Sequence, residues 1–186
     1  MAAPIGTALL IVDVQVGLGD PSHGPSSTPD AVANMTQLLA AWREAGWLVV
    51  HVKHNSTVPT SLLRPGLPTN ALMPEVAPLE GEPLFEKTVN SAFIGTGLDA
   101  YLRERGITDL VIVGLTTDHC ISTTARMAAN LGFDTTVVAD ATAAFGRTSF
   151  DGQVYTADEI HGVALANLHA EFAAIRTTDE VLASMA

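Results

Sequence analysis

The chain has 186 residues, of which 47% are hydrophobic and 16% are charged, a composition typical of a globular domain. Nine Lys and Arg residues against 20 Asp and Glu residues give a formal net charge of −11, so we expect neither a nucleic-acid nor a membrane partner. The single cysteine excludes an intrachain disulfide, and the N-terminus shows neither a signal-peptide pattern nor an unbroken apolar span, so we expect a cytoplasmic protein.

Short apolar runs alternate with helical stretches along the whole chain. The predicted elements, in chain order, are strand 7–12, helix 28–45, strand 47–52, a long loop 55–82, strand 84–87, helix 98–105, strand 109–113, helix 120–131, strand 134–139, helix 157–170 and strand 173–176. Thr28 and Pro29 are typical of the N-cap and the first position of a helix, and Gly46, Gly106 and Gly132 are typical of helix ends.

This alternation predicts an α/β fold. Strands such as TALLIV and DLVIV are apolar almost throughout, which indicates burial on both faces of a parallel sheet. We therefore predict one domain, residues 1–186, with three αβα layers around a mostly parallel, Rossmann-like sheet of about six strands. Ligands of such sheets bind at the carboxyl ends of the strands, where Asp13, His54, Lys87 and Cys120 are expected.

Cys120 is the candidate nucleophile. It follows the strongest strand and starts a predicted helix, whose N-terminus carries about half a positive charge. That field and a nearby Lys lower a thiol pKa from about 8.5 to roughly 3.5–7.5 in known sites, which would give a nucleophilic thiolate. The alternative is a cysteine packed as a small core residue. The polar neighbours at 116–119 favour the functional interpretation.

Asp13 and Lys87 are candidate partners of that thiol. A carboxylate after so apolar a strand must be paired, solvated or protonated, although a turn or cap Asp is a common alternative. Lys87 ends another predicted strand and is a candidate for the pairing, although a single Lys is more often a solvated surface charge. Their shared place at strand ends, rather than either residue alone, indicates a site.

Four segments resemble one known family. ALLIVDVQ with Asp13, FEKTVNSAF with Lys87, VIVGLTTDHCISTTARMAANLGF with Cys120 and VVADATAAF with Asp140 are similar, in this order, to segments of the isochorismatase-like hydrolases. That superfamily includes nicotinamidases, carbamoyl-amide hydrolases and isochorismatases. The resemblance runs from Thr7 to about position 145 and implies the same fold.

The resemblance also implies roles for individual residues. It makes Asp13, Lys87 and Cys120 a catalytic triad and places a cis peptide between Leu115 and Thr116. The N–H groups of Thr116 and Cys120 would then form an oxyanion hole. Because family members are commonly homodimers or homotetramers, the resemblance implies such an assembly. It makes Arg147 and Tyr155 candidates for the pocket of a neighbouring subunit.

The function predicted from these residues is cysteine-dependent hydrolysis of a small-molecule amide, at its C–N bond, through a thioester. One alternative is cleavage of a vinyl ether, which Asp13 could protonate and which isochorismatases perform without a cysteine at this position. A second, from another class, is a non-catalytic binding protein for small molecules on the same fold. Candidate substrate-binding residues follow from their places near the triad or at strand ends: Gln15, Leu18, His54, Asn55, Phe93 and His119.

We predict neither a metal nor a cofactor. Nicotinamidases hold a metal through an Asp-x-His pair after the second strand, where this chain instead has His51, Lys53 and His54. We expect His51 to be a core or sheet histidine. Gly95, Gly97 and Ala100 match GxGxxA, a motif of dinucleotide-binding sites. They lie mid-chain after a segment that is a poor strand, so the glycines more simply let the chain enter the next helix.

Overall fold

Six parallel strands form the central sheet of the computed structural model, which describes residues 6–185. Their order across the sheet is β3-β2-β1-β4-β5-β8. The strands are β1 Thr7–Val12, β2 Leu48–His54, β3 Leu84–Lys87, β4 Asp109–Leu115, β5 Asp134–Ala143 and β8 Ala174–Arg176. A separate antiparallel hairpin pairs β6 Arg147–Thr148 with β7 Val154–Tyr155.

Five helices cover the two faces of this sheet. They are α1 Ala31–Ala45, α2 Leu98–Glu104, α3 Ser122–Asn130, α4 Ala157–Leu168 and α5 Thr178–Met185. Buried side chains of α1 and α5 belong to one core cluster, and those of α2, α3 and α4 belong to the other. The predicted three-layer αβα architecture is therefore confirmed.

Strand β1 shows why the strands are so apolar. Leu10 and Val12 face the cluster that contains α2, α3 and α4, whereas Leu9 and Ile11 face the cluster that contains α1 and α5. All four side chains are buried, and each contributes about 1.5–3 kcal/mol by leaving water. A strand at the centre of a sheet covered on both sides has no solvent face, so its sequence does not alternate.

Several element boundaries differ from the predicted ones. Helix α1 begins at Ala31 rather than at Thr28, because Thr28 starts a turn in which its carbonyl accepts the Ala31 N–H at 3.1 Å. Its end is as predicted, with Gly46 in the left-handed conformation at φ 69°. Strands β4 and β5 extend beyond the predicted 113 and 139, because their ladder continues through Leu115 opposite Ala143.

The β6–β7 hairpin and helix α5 were not predicted from the sequence. Each hairpin strand has only two residues, too few for a recognisable pattern. The long loop at 55–82 contains two single 3₁₀ turns, Pro68–Asn70 and Pro74–Val76. Gly95 and Gly97 both have φ 74° and lead into α2, as expected for a helix entry.

Nowhere in residues 6–185 does a helix combine the length and apolar character that crossing a bilayer requires.

Gly114 fixes how closely β4 approaches β1. It has φ 131°, and a Cβ atom built on it would lie 2.0 Å from the Val12 carbonyl oxygen. The register between β4 and β5 also shifts between Ile112 and Gly114. Only glycine fits this crossing, which sets the direction of the chain as it leaves the sheet.

Candidate active site

The predicted catalytic residues meet at the carboxyl edge of the sheet. Asp13 follows β1, Lys87 ends β3, and Cys120 lies in a π-helical turn, Thr117–Ile121, after β4. The Lys87 Nζ donates to Asp13 Oδ2 at 2.5 Å and to Cys120 Sγ at 3.3 Å. Neighbouring parallel strands bring their ends to one edge, so residues 74 positions apart come into contact.

Lys87 has a third partner that the motifs did not predict. Its Nζ lies 3.2 Å from Nδ1 of His54, the last residue of β2. Burial, and then the ammonium of Lys87, lower the pKa of His54, so the neutral ring can accept this hydrogen bond. The Lys87 ammonium, which has no exposed side-chain surface, thus has an acceptor for each of its three N–H groups.

Asp13 has an unusual backbone and a buried carboxyl group. Its φ is 55°, in the left-handed region that residues other than glycine rarely adopt, and its N–H donates to the Val52 carbonyl at 2.9 Å. Burial raises the pKa of the carboxyl above its usual range, although Lys87 opposes this. Among the described residues, Oδ1 is buried and has no hydrogen-bond partner. A raised pKa makes the carboxyl a better proton acceptor than an ordinary carboxylate.

Cys120 differs from the sequence-based expectation. It precedes α3, inside the turn in which the Ile121 N–H donates to the Thr116 carbonyl at 3.2 Å. Burial, and then the Asp13 carboxylate, raise the pKa of the thiol to about 12, although Lys87 opposes them. The expected low thiol pKa is therefore wrong. The resting site holds a neutral thiol beside an ion pair.

The segment before Cys120 has the backbone that the resemblance implied. The Leu115–Thr116 peptide is cis. Thr116 lines the same cavity as Cys120, and its N–H donates to no protein acceptor within residues 6–185. An oxyanion hole from the N–H groups of Thr116 and Cys120 stays a prediction.

A cavity of about 290 Å³ opens above these residues. Its wall includes both predicted catalytic and unpredicted side chains: Asp13, Leu18, His23, His54, Ser61, Leu63, Asn90, Leu115, Thr116, His119, Cys120, Phe145 and Arg147. Of the six predicted substrate-binding residues, Leu18, His54 and His119 line it. A larger concavity of about 580 Å³ between α3 and α4 contains none of the predicted catalytic residues.

The other three predicted substrate-binding residues lie away from the cavity wall. Gln15 is fully buried, where its amide donates to the carbonyls of His54 and Asn70 and accepts the His54 N–H. The Asn55 N–H donates to the Lys87 carbonyl at 2.7 Å. The Phe93 ring stacks on Phe133 with centroids 5.8 Å apart. Gln15 and Asn55 hold the ends of β2 and β3, and Phe93 packs in the core.

Arg147 is the most informative residue that the sequence placed elsewhere. The resemblance made it a candidate for a neighbouring subunit's pocket, yet it lines the cavity of its own chain. Its Nε donates to Asp118 Oδ2 at 2.7 Å. His23, which stacks on Phe145 with centroids 5.0 Å apart, was also missed. Both come from segments outside the motifs, where no local pattern marks a pocket residue.

The triad region does not suit a metal ion. One ligand atom each from Asp13, His54 and Cys120 lies within 4.8 Å of the others, a spacing that a cation could bridge. The Lys87 ammonium already contacts all three residues, and a divalent ion there would be repelled by it. The absence of a metal stays a prediction.

His51 is the core histidine that was expected. It is 1% exposed, and its Nε2 lies 2.9 Å from Glu82 Oε2. Although burial opposes it, hydrogen bonds from Arg43, the Leu79 N–H and His51 lower the pKa of Glu82 to about 2. This network joins α1, β2 and the loop before β3, away from the cavity.

Comparison with known proteins identifies relatives over nearly the whole chain. The sequence model of the isochorismatase domain matches residues 7–180. The uncharacterised isochorismatase family protein YrdC of Bacillus subtilis is 47% identical over 94% of each chain. Streptothricin hydrolase of Streptomyces noursei is 37% identical over 74% of this chain and 50% of its own length. Ureidoacrylate amidohydrolase RutB of Methylobacterium radiotolerans is 28% identical over 91% of this chain and 75% of its own.

Solved structures have the same fold. A hydrolase assigned to the isochorismatase family from Chromobacterium violaceum superposes with a TM-score of 0.94 at 40% identity, covering 98% of this chain and 95% of its own. A cysteine hydrolase from Pseudomonas syringae superposes with a TM-score of 0.88 at 26% identity, covering 97% of this chain and 92% of its own.

Proposed function

Because this chain belongs to the isochorismatase family of hydrolases, we propose that it hydrolyses the C–N bond of a small-molecule amide through a thioester on Cys120. One observation carries the proposal: Lys87 contacts both Asp13 and Cys120 beside a cavity of about 290 Å³. The names of two relatives, an amidohydrolase and a cysteine hydrolase, support the same chemistry.

In the first step the Cys120 sulfur attacks the amide carbonyl. Because burial holds the thiol pKa near 12, the proton must leave as the S–C bond forms, and Asp13 is the base in reach. Lys87 stabilises the negative charge that develops on sulfur 3.3 Å away. The N–H groups of Thr116 and Cys120 stabilise the oxyanion, a contribution of roughly 10²–10³ in rate per donor in comparable sites.

The remaining steps return every proton. Protonated Asp13 gives its proton to the leaving nitrogen as the C–N bond breaks, which releases the amine and leaves a thioester. Asp13 then removes a proton from the water that attacks the thioester. The acid product departs, and that proton returns to the Cys120 sulfur. A carboxyl with a raised pKa holds a proton more readily than an ordinary carboxylate, which suits a group that both takes and gives one.

Ammonia release from a panel of small primary amides tests the proposal. Cys120→Ala should lower kcat/KM by roughly a thousandfold or more, because it removes the nucleophile. Asn130→Ala, at the exposed end of the same helix α3, is the control and should keep wild-type activity. A Cys120→Ala protein that turned over amides at the wild-type rate would remove Cys120 from the role.

Vinyl ether cleavage is the second candidate, because the raised pKa of Asp13 also suits protonation of an enol ether carbon. This reaction needs no thiol. Cys120→Ala would then keep its activity on isochorismate while no amide was hydrolysed. A protein that bound small molecules in this cavity and converted neither class would be a binding protein.

A further inference from the structure

Arg147 presents a positive charge to the cavity, and a hydrogen bond to a residue outside the cavity wall holds it in place. It starts the β6–β7 hairpin, and its side chain is 39% exposed at the cavity mouth. Asp118, which accepts the Nε hydrogen bond, does not line this cavity. Of the other guanidinium nitrogens, only Nη2 approaches a described side chain, His119 Nδ1 at 3.4 Å. Most of the guanidinium fork therefore stays available to a ligand.

No free negative charge of the described chain competes for that fork inside the cavity. Among residues 6–185, Asp13 is the only carboxylate on the wall, and the Lys87 ammonium neutralises it. Asp118 is ionised, because the Arg147 hydrogen bond lowers its pKa although burial opposes this. It therefore fixes the orientation of the guanidinium from outside the wall. Asn90 on the wall adds an amide that can donate to an anion, whereas His23 Nε2 already donates to the Gly17 carbonyl at 3.0 Å and His119 Nε2 lies 3.5 Å from Asp118 Oδ2.

We propose that the substrate is a small amide that also carries a carboxylate, and that Arg147 binds this carboxylate. The inference rests on the proposed function and names its substrate class. A guanidinium binds a planar carboxylate through two parallel N–H groups, which fixes orientation as well as charge. The volume of about 290 Å³ lies at the lower end of ligand pockets, which span about 300–1,000 Å³, so the whole substrate is small.

The net charge of the chain makes this preference testable. A formal charge of −11 repels anions at long range, so a preference for an anionic reagent must come from groups in the cavity. Cys120 is the only cysteine, so intact-mass spectrometry reports its alkylation directly. Iodoacetate and iodoacetamide differ mainly in charge, and the ratio of their rate constants cancels the thiolate fraction.

The first experiment compares that ratio across variants. Arg147→Gln should lower the ratio of iodoacetate to iodoacetamide by roughly tenfold, and Arg147→Lys should lower it less. Asp118→Asn keeps an oxygen acceptor for Nε but removes the opposing charge, so it should raise the ratio by roughly threefold. Arg105→Gln removes an exposed charge that does not line the cavity, so it should leave the ratio unchanged. Unaltered ratios in the Arg147 and Asp118 variants would overturn the proposal.

The second experiment compares succinamate with succinamide as substrates. We expect a kcat/KM at least roughly tenfold higher for the anion, with the difference lost in Arg147→Gln chiefly through KM. Equal turnover of both amides with unaltered alkylation ratios rejects the carboxylate inference and leaves amide hydrolysis standing. If the wild type hydrolyses neither amide but the alkylation ratios change across the variants as predicted, amide hydrolysis is rejected and the anion site is retained.

Discussion

Burial and two charged groups, Asp13 and Lys87, act on the pKa of the Cys120 thiol, and burial has the largest effect. The Lys87 ammonium favours the thiolate, but the low-polarity surroundings and the nearby Asp13 carboxylate favour the neutral form more strongly. The positive end of a helix cannot offset both, because its effect is confined to the first turn and is modest. The resting site therefore favours a neutral thiol, which under the proposed function loses its proton during the attack.

The alkylation of Cys120 by iodoacetamide should therefore depend steeply on pH. In the free protein the rate should keep rising above pH 9, because the thiol loses its proton only near a pKa of about 12. The unfolded chain, with an ordinary thiol pKa, serves as the reference. A rate that levelled off below pH 8 in the folded protein would show a stored thiolate.

His54 supports the charge on Lys87 by accepting its third hydrogen bond. His54→Ala leaves one ammonium N–H without a partner in a buried site, which costs about 1–3 kcal/mol. We expect a roughly tenfold lower kcat for amide hydrolysis and an altered pH profile. His54→Asn places an oxygen close to the position of Nδ1 and should recover most of the activity. If both variants behaved like wild type, the contact would have no role in positioning.

The sequence indicated the residues at the strand ends and part of the cavity wall, namely Leu18, His54 and His119, but not His23 or Arg147. Asp13, Lys87 and Cys120 stand in ordered motifs, so their meeting could be predicted from strand topology. Arg147 lines the cavity through a tertiary contact with Asp118, which no local pattern encodes. The thiol pKa was predicted wrongly because burial is a property of the folded chain.

The connection from β4 to α3 depends on Gly114. Its φ of 131° is positive, and a Cβ atom built on it would lie 2.0 Å from the Val12 carbonyl oxygen, so there is no room for a side chain. This residue therefore controls both the packing of β4 on β1 and the place of the Leu115–Cys120 segment above the sheet.

Gly114→Ala should destabilise the protein and impair the site together. We expect a loss of more than about 3 kcal/mol in the free energy of unfolding, because the methyl group would overlap backbone atoms that cannot move easily. Gly162→Ala, in helix α4 with nothing within 4 Å, is the control and should be neutral or stabilise by up to about 1 kcal/mol. Urea unfolding measures both. Similar stability of the two variants would contradict this account of the crossing.

The strands of the central sheet could be predicted, including the short β3, whereas the two-residue strands of the β6–β7 hairpin and helix α5 could not. Strand β1 matches its prediction at both ends, since an apolar run and the polar residues around it define it. The start of α1 was wrong because Thr28 and Pro29 suit a turn as well as a helix start. The β6–β7 hairpin was not predicted, so the position of Arg147 on a hairpin strand was not predicted either.

Taken as a whole, the molecule places its chemistry at one edge of a buried sheet. The order β3-β2-β1-β4 brings four strand ends side by side, and each contributes one residue to the hydrogen-bonded group around Lys87. The formal net charge of −11 repels anions at long range, so a preference for an anionic substrate must come from the cavity itself. Homo-oligomer formation and a cytoplasmic location stay predictions.

Detection of an acyl-enzyme tests the proposed thioester mechanism most directly. The wild-type protein, Asp13→Asn and Cys120→Ala are each mixed with an amide that the wild type hydrolyses, quenched in acid within one turnover, and weighed by intact-mass spectrometry. The wild type should gain the mass of the acyl group on Cys120, and neither variant should gain it. An adduct on another residue, or turnover by Cys120→Ala at the wild-type rate, would contradict a thioester formed by Cys120 with Asp13 as its base.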